Sequence, residues 1–177
     1  MDPLLPFSIP VKGLGQGLYQ FDFQIDRSFF QRFEASPIEE GDIEMTLYFD
    51  KLPDMFVLEF EFEGTVRVAC DRCTAPIDLP IADSQRLLVK FSEVEMPEEA
   101  EVIYVSSEIS HFQAAQYAYE YICLALPMIS VYDCEDDDPR PCNEEMLRYL
   151  NQAGTSKDEK EEGGNSIWDA LKNLDQD

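Results

Sequence analysis

Two cysteines separated by two residues, Cys70 and Cys73, have the spacing in this sequence that most clearly allows chemistry. Two thiols in a Cys-x-x-Cys turn can face one point, and four thiolates satisfy the tetrahedral preference of zinc. Cys134 and Cys142 have seven residues between them, a wider spacing than in common zinc sites, but the loop that joins them is stiffened by prolines. We therefore expect one structural zinc held by Cys70, Cys73, Cys134 and Cys142.

Two other interpretations of these thiols stay open. Paired cysteines of cytosolic proteins are also found simply buried, or in redox and disulfide chemistry. Thioredoxin-like activity is disfavoured because Thr74-Ala75-Pro76 follows the pair and starts no helix that would lower a thiol pKa. Cys123, the fifth cysteine, falls inside a predicted helix and is expected in the core.

No residue is predicted to be catalytic. His111 is the only histidine, and no nucleophile is recognisable near it in sequence, so a Ser-His-Asp or Cys-His site is disfavoured. No glycine-rich phosphate loop follows a strand, which argues against a kinase, an NTPase or a Rossmann enzyme. We expect a protein that binds other macromolecules and has no small-molecule substrate.

The charge balance indicates the kind of partner. The net charge is -24, from 37 acidic and 13 basic residues. Such a surface repels phosphate, so the sequence favours a basic protein partner over nucleic acid, although the charge also serves solubility alone in many proteins. Four basic residues depart from this average. They either make a local RNA contact or simply lie on a solvent-exposed face of the sheet. They are Arg67, Arg72, Arg86 and Lys90.

The elements that must position these residues begin with a strand of alternating residues. Phe56, Leu58, Phe60, Phe62, Val66, Val68 and Cys70 all occupy even positions. A period of two predicts a half-buried strand that ends at the Cys-x-x-Cys turn, and Gly64 predicts a bulge or bend within it. Further strands are predicted over residues 17–26, 43–49, 75–81, 86–91 and 102–105. Together they predict an antiparallel meander, or a partial barrel.

The clearest predicted helix runs from Ser110 to Pro127 and should pack on this sheet. Asn143 can cap a short helix that continues to Asn151. We expect an α+β domain over residues 1–152, a flexible acidic linker over 153–164 and an amphipathic segment over 165–177. Trp168 in that segment is expected to dock on its own domain or on a partner.

The amino-terminal sequence has no basic region and no continuous apolar segment, so we expect neither a signal peptide nor a membrane span. The expected location is the cytoplasm.

Three stretches of the sequence are informative together: Cys70-Asp71-Arg72-Cys73, Tyr121-Ile122-Cys123-Leu124-Ala125-Leu126-Pro127 with the cysteine-bearing loop that follows, and Ile167-Trp168-Asp169-Ala170-Leu171-Lys172. In combination they resemble the YceD family, the large ribosomal RNA subunit accumulation proteins. The resemblance covers roughly residues 55–174, and Thr74 stands where many members have leucine. It implies a non-enzymatic bacterial factor that supports accumulation of the large-subunit ribosomal RNA.

We therefore expect a ribosome assembly factor whose partner is a basic ribosomal protein or a pre-ribosomal particle. Arg67, Arg72, Arg86, Lys90 and Trp168 are the predicted partner-binding residues. The alternative is a zinc-stapled protein-interaction module unrelated to ribosomes.

Overall fold

The computed structural model of the chain describes residues 2–93, 102–131, 134 and 138–155. Within these ranges there are seven strands: β1 (Ser8–Ile9), β2 (Gly17–Ile25), β3 (Glu40–Lys51), β4 (Met55–Ala69), β5 (Pro76–Phe91), β6 (Val102–Val105) and β7 (Phe112–Gln113). The helices are α1 (Arg27–Phe30), α2 (Ala115–Leu124) and α3 (Glu144–Thr155). The chain divides into one unit of Met1–Asp71 with Pro76–Asp133 and a second of Arg72–Ala75 with Cys134–Asp177.

Five strands of the first unit form one sheet in the order β2-β3-β4-β5-β6. The first three pairings are antiparallel, as the predicted meander requires, and β6 joins β5 in parallel. Because β2 and β6 end the order of the described strands, the sheet is not a closed barrel. The α+β prediction is confirmed at this level.

Alternation buries one face of the sheet. On β4, Phe56, Leu58, Phe60, Phe62, Val66 and Val68 are all buried. Burying one such side chain contributes about 2 kcal/mol, so this single strand is a large part of the core. The glutamates between them point to the opposite face, which is called the outer face below.

Of the bulge or bend predicted at Gly64, the bulge is absent. It pairs with Ile43 on one side and Ile81 on the other, and both registers continue unbroken past it. The physical reason for a glycine is close approach, because a Cβ at this position would lie 2.7 Å from the Cα of Ile43.

The two strands predicted over residues 75–81 and 86–91 are one continuous strand, β5. The polar residues between them suggested a break, yet they pair with β4 throughout. Asp83 and Gln85 are only half-buried, and the Gln85 side-chain amide donates to the Asp83 carboxylate at 2.7 Å. Satisfying each other in this way lets these two residues continue the strand.

The helix predicted from Ser110 to Pro127 is shorter in the structure, where α2 spans Ala115–Leu124. Phe112 and Gln113 instead form β7, which pairs with β1. Gln113 accepts a hydrogen bond from the Ala115 backbone N–H at 3.4 Å, so it serves the start of the helix from a strand position.

Aromatic contacts join α2 to its unit. Tyr121 meets Phe60 of the sheet with ring centroids 5.2 Å apart, and Tyr119 stacks on Phe33 at 3.9 Å. Ala115, Ala118 and Ile122 are buried beside them. The apolar face of α2 is therefore core, as its helical spacing predicts.

In the second unit, Asn143 accepts from the Met146 backbone N–H at 3.3 Å, which confirms the predicted cap of α3. The helix continues to Thr155, beyond the predicted Asn151 and into the first residues of the predicted linker. The rest of that linker and the segment containing Trp168 lie outside the described residues. The division at residues 152 and 164 stays a prediction.

Candidate functional site

The Cys-x-x-Cys sequence forms the turn between β4 and β5. Cys70 follows the last residue of β4, and Ala69 pairs with Pro76 across the hairpin. Cys70 and Cys73 are both buried, with 5% and 2% of their surfaces exposed. Thr74 adopts a φ of +60°, a conformation uncommon for a β-branched residue, so the turn holds backbone strain next to the second cysteine.

Asp71 ties this turn to the segment that follows α2. Its backbone N–H donates to the Ser130 carbonyl at 2.8 Å, and the Ser130 N–H donates to Oδ2 of Asp71 at 2.6 Å. These reciprocal bonds join residues that are 59 positions apart in sequence. The sequence analysis did not predict a role for Asp71. Its position inside the Cys-x-x-Cys turn is the one feature of the sequence that could have suggested it.

The second pair of predicted zinc ligands, Cys134 and Cys142, is joined as a disulfide in the second unit. Disulfide sulfurs are not thiolates, so zinc binding by these residues applies to the reduced chain. Of the four predicted ligands, Cys70 belongs to the first unit, whereas Cys73, Cys134 and Cys142 belong to the second. Among the described residues, no three His, Cys, Asp or Glu side chains converge as metal ligands do, and the zinc site stays a prediction.

The remaining thiol, Cys123, lies on α2 beside Tyr119. Burial raises the pKa of the Cys123 thiol, and the nearby Glu120 carboxylate raises it further. A raised pKa keeps the thiol protonated at neutral pH, so Cys123 is a weak nucleophile. Burial also raises the pKa of Tyr119.

The predicted basic residues do not form one patch on the sheet. Arg67, Arg86 and Lys90 all have outer-face positions, and Arg72 lies on the exposed turn. Arg67 is opposite Asp78 on β5, and Arg86 lies eight residues farther along that strand, which corresponds to about 27 Å. A nucleic acid contact at Arg67 would therefore be separate from one at Arg86 and Lys90, which lie four residues apart on the same face of β5.

Arg67 is already paired with carboxylates. Its Nε and Nη2 atoms donate to the two oxygens of Asp78 at 2.8 and 2.9 Å, and Glu40 lies 3.6 Å from Nη1. The hydrogen bond to the guanidinium lowers the pKa of Asp78. A phosphate approaching Arg67 would have to displace two carboxylates.

Carboxylates dominate the middle of the outer face. Glu44 on β3 lies directly opposite Glu63 on β4, an arrangement that costs stability because like charges repel. A depression of about 700 Å³ opens there, lined by Asp42, Glu44 and Glu63 together with uncharged residues. The arrangement presents negative charge for binding and favours a basic ligand.

No helix among the described residues is long and apolar enough to cross a bilayer. His111 is exposed, and its Nδ1 lies 3.1 Å from the Ser110 hydroxyl.

A model of one protein family, described as large ribosomal RNA subunit accumulation protein YceD, matches residues 58–175 of the chain. The match begins within β4 and includes the Cys-x-x-Cys turn, α2 and α3. No curated protein and no solved structure matches the chain significantly.

Proposed function

The chain belongs to the YceD family, and on this premise we propose that it is a non-enzymatic cytoplasmic factor that supports accumulation of large-subunit ribosomal RNA during ribosome assembly. The single observation that carries this proposal is the family match, which extends over two thirds of the chain, from Leu58 to residue 175.

A basic ribosomal protein, alone or within a pre-ribosomal particle, is the proposed partner. The net charge of -24 and the carboxylates around Glu44 and Glu63 support this choice, because they attract Lys and Arg side chains and repel phosphate. Trp168 is proposed to add an apolar contact to the same complex.

Arg72, Arg86 and Lys90 are proposed to make local RNA contacts within the particle. Arg72 lies on the turn, and Arg86 and Lys90 lie on the outer face of β5, so each would bind phosphate and carry little sequence information. Arg67 is a weaker RNA contact than sequence alone suggests, because Asp78 and Glu40 already neutralise it.

The second candidate is a zinc-stapled interaction module unrelated to ribosomes. The burial of Cys70 and Cys73 in one turn favours it, and Cys134 and Cys142 would add two ligands once their disulfide is reduced. Such a protein would carry about one zinc per chain, and its depletion would leave ribosomal RNA unchanged.

Depletion of the protein from its host, followed by measurement of the ratio of large- to small-subunit ribosomal RNA, tests the proposal. The ratio should fall on depletion and recover when the wild-type chain is restored. Capture of the tagged chain from lysate should recover ribosomal proteins. An unchanged ratio together with no ribosomal protein in the captured material would contradict the proposed function.

The RNA contacts need a separate measurement. Replacing Arg72, Arg86 and Lys90 with alanine should lower ultraviolet cross-linking to RNA, whereas replacing Arg27 and Arg32, which pair with Glu40 and Asp2, should not. Equal cross-linking by both variants would assign these contacts elsewhere.

A further inference from the structure

Strand β2 forms one edge of the sheet. Among the described residues, it pairs with β3 along one side and has no neighbouring strand along the other. β2 is nine residues long and pairs with β3 without interruption from Gly17 to Ile25. The backbone groups of alternate residues on such an edge point away from the sheet and can pair with another chain.

This edge lacks three of the features that proteins use to prevent such pairing. Its sequence, GLYQFDFQI, contains no lysine and no proline, and its unbroken register contains no bulge. At the other end of the sheet, β6 is only four residues long, and a short edge strand offers little to pair with.

The two faces of β2 differ in chemistry. Tyr19, Phe21 and Phe23 lie on the inner face but are only half-buried, whereas Phe49, opposite Tyr19 on the neighbouring strand β3, is fully buried. Gln20, Asp22 and Gln24 lie on the outer face of the sheet, which also carries the carboxylates of Glu44 and Glu63. A strand added here would meet an aromatic row with one set of side chains and acidic groups with the other.

We propose that β2 binds an extended, lysine- or arginine-rich segment of a protein partner as an additional strand of the sheet. Basic residues alternating with apolar ones would match both faces at once, because successive side chains of a strand point to opposite sides. A second copy of this chain is a poor occupant, since two molecules of charge -24 repel each other. The inference rests on the proposed function for its basic partner, but it adds the surface and the mode of binding.

The edge can be blocked without disturbing the fold. Gln20 donates to Asp22 at 2.9 Å and Gln24 donates to Asp42 at 2.6 Å. The double variant Gln20→Lys/Gln24→Lys keeps an acidic neighbour for each new side chain and places on the edge the residue that most often prevents strand pairing. The matched control is Gln31→Lys/Gln116→Lys, which makes the same change of charge at two exposed positions outside the sheet.

The probe is a fluorescein-labelled ten-residue peptide of alternating lysine and valine, and fluorescence anisotropy is measured at about 0.15 M salt. A peptide of five lysines followed by five valines has the same composition without the alternation. We expect the wild-type chain to bind the alternating peptide more tightly. The edge variant should weaken that binding about tenfold, as expected for a few exposed charge contacts, and the control variant less than twofold. Hydrogen exchange should slow in residues 17–25 when the peptide binds.

Equal weakening by the two double variants, equal binding of the two peptides, or protection only outside β2 would each overturn the proposal. A wild-type dimer in sedimentation equilibrium that the edge variant dissociates would also overturn it, because a second copy would then occupy the edge. These outcomes are independent of ribosomal RNA levels. An RNA ratio that falls on depletion but recovers fully with the edge variant would reject this surface and leave the proposed function standing.

Discussion

Replacing Gly64 with alanine is expected to destabilise the protein severely. Gly64 lies in the middle of β4, between Ile43 and Ile81 on the neighbouring strands. An added Cβ would lie 2.7 Å from the Cα of Ile43 and would also contact the carbonyl oxygen of Asp42. Both are backbone atoms of a central strand, so they cannot rotate away as a side chain could.

Two costs add at this position. Forcing an extra methyl group into a packed interior costs about 1 to 3 kcal/mol, and the φ of +159° costs an L-residue a further 1 to 3 kcal/mol, roughly. A total of about 4 kcal/mol is a large part of the roughly 5 to 15 kcal/mol that stabilises a typical domain. It corresponds to a fall in Tm of about 8 to 16 °C for a chain of this size.

Thermal and urea unfolding, followed by circular dichroism, measure this change. The matched control is Gly13→Ala, because a Cβ at Gly13 would meet no atom within 4 Å. The control should change stability by less than about 1 kcal/mol and should stabilise if it changes anything, since alanine restricts the unfolded chain. A Gly64→Ala variant within about 1 kcal/mol of wild type would refute the argument from close approach.

Three further predictions concern the turn, an ion pair and the cysteines. Asp71→Ala should lower the free energy of unfolding by about 1 kcal/mol and speed hydrogen exchange at Ser130. Asp71→Asn keeps a hydrogen-bond acceptor, so it should lower the free energy of unfolding by less. Equal effects of the two variants would contradict the reciprocal hydrogen bonds. The pKa of the Asp78 carboxyl in the folded protein lies below its usual 3.8. The ion pair with Arg67 therefore stabilises the fold above pH 3.8, and this stabilisation is lost as the pH falls through the pKa of Asp78 in the folded state. Carboxyl NMR titration should show Arg67→Ala raising that midpoint, and an unchanged midpoint would show that the guanidinium is not its cause. Wild-type protein purified under reducing conditions without chelator should contain about one zinc per chain by elemental analysis, and the Cys142→Ser variant should contain less zinc. A wild-type protein without zinc would contradict the zinc prediction.

The strands could be predicted because their burial is one-sided. Alternation in β2, β3 and β4 is a local property of the sequence, and a face buried against a core preserves it. β5 was predicted as two strands because Asp83 and Gln85 interrupt the apolar alternation at its centre. Their hydrogen bond to each other is a detail of the folded chain that single-sequence periodicity does not contain.

The start of α2 shows a similar limit. Ser110 and Gln113 have capping-box spacing, but Phe112 pairs with Ile9 across more than a hundred residues and becomes strand. Long-range pairing overrode a local helix signal, because tertiary context outweighs the small energies of local propensity.

For the candidate site, the sequence identified the cysteine turn and the excess of acidic charge. It could not identify the edge strand, because which strand ends a sheet depends on topology and not on the strand itself. Arg67 was likewise predicted as a partner contact from charge alone, and the Asp78 opposite it became visible only when the register of β4 and β5 was known.

The family match begins at Leu58, inside β4, whereas the sheet to which β4 belongs also contains the earlier strands β2 and β3. A fragment cut at that boundary would discard β3 and leave the backbone of ten of the twelve β4 positions that pair with it, Leu58 to Arg67, without a partner strand. The residues before Leu58 therefore supply β3, the strand that completes the sheet beside β4. Residues 58–175 expressed alone should therefore aggregate through this open edge.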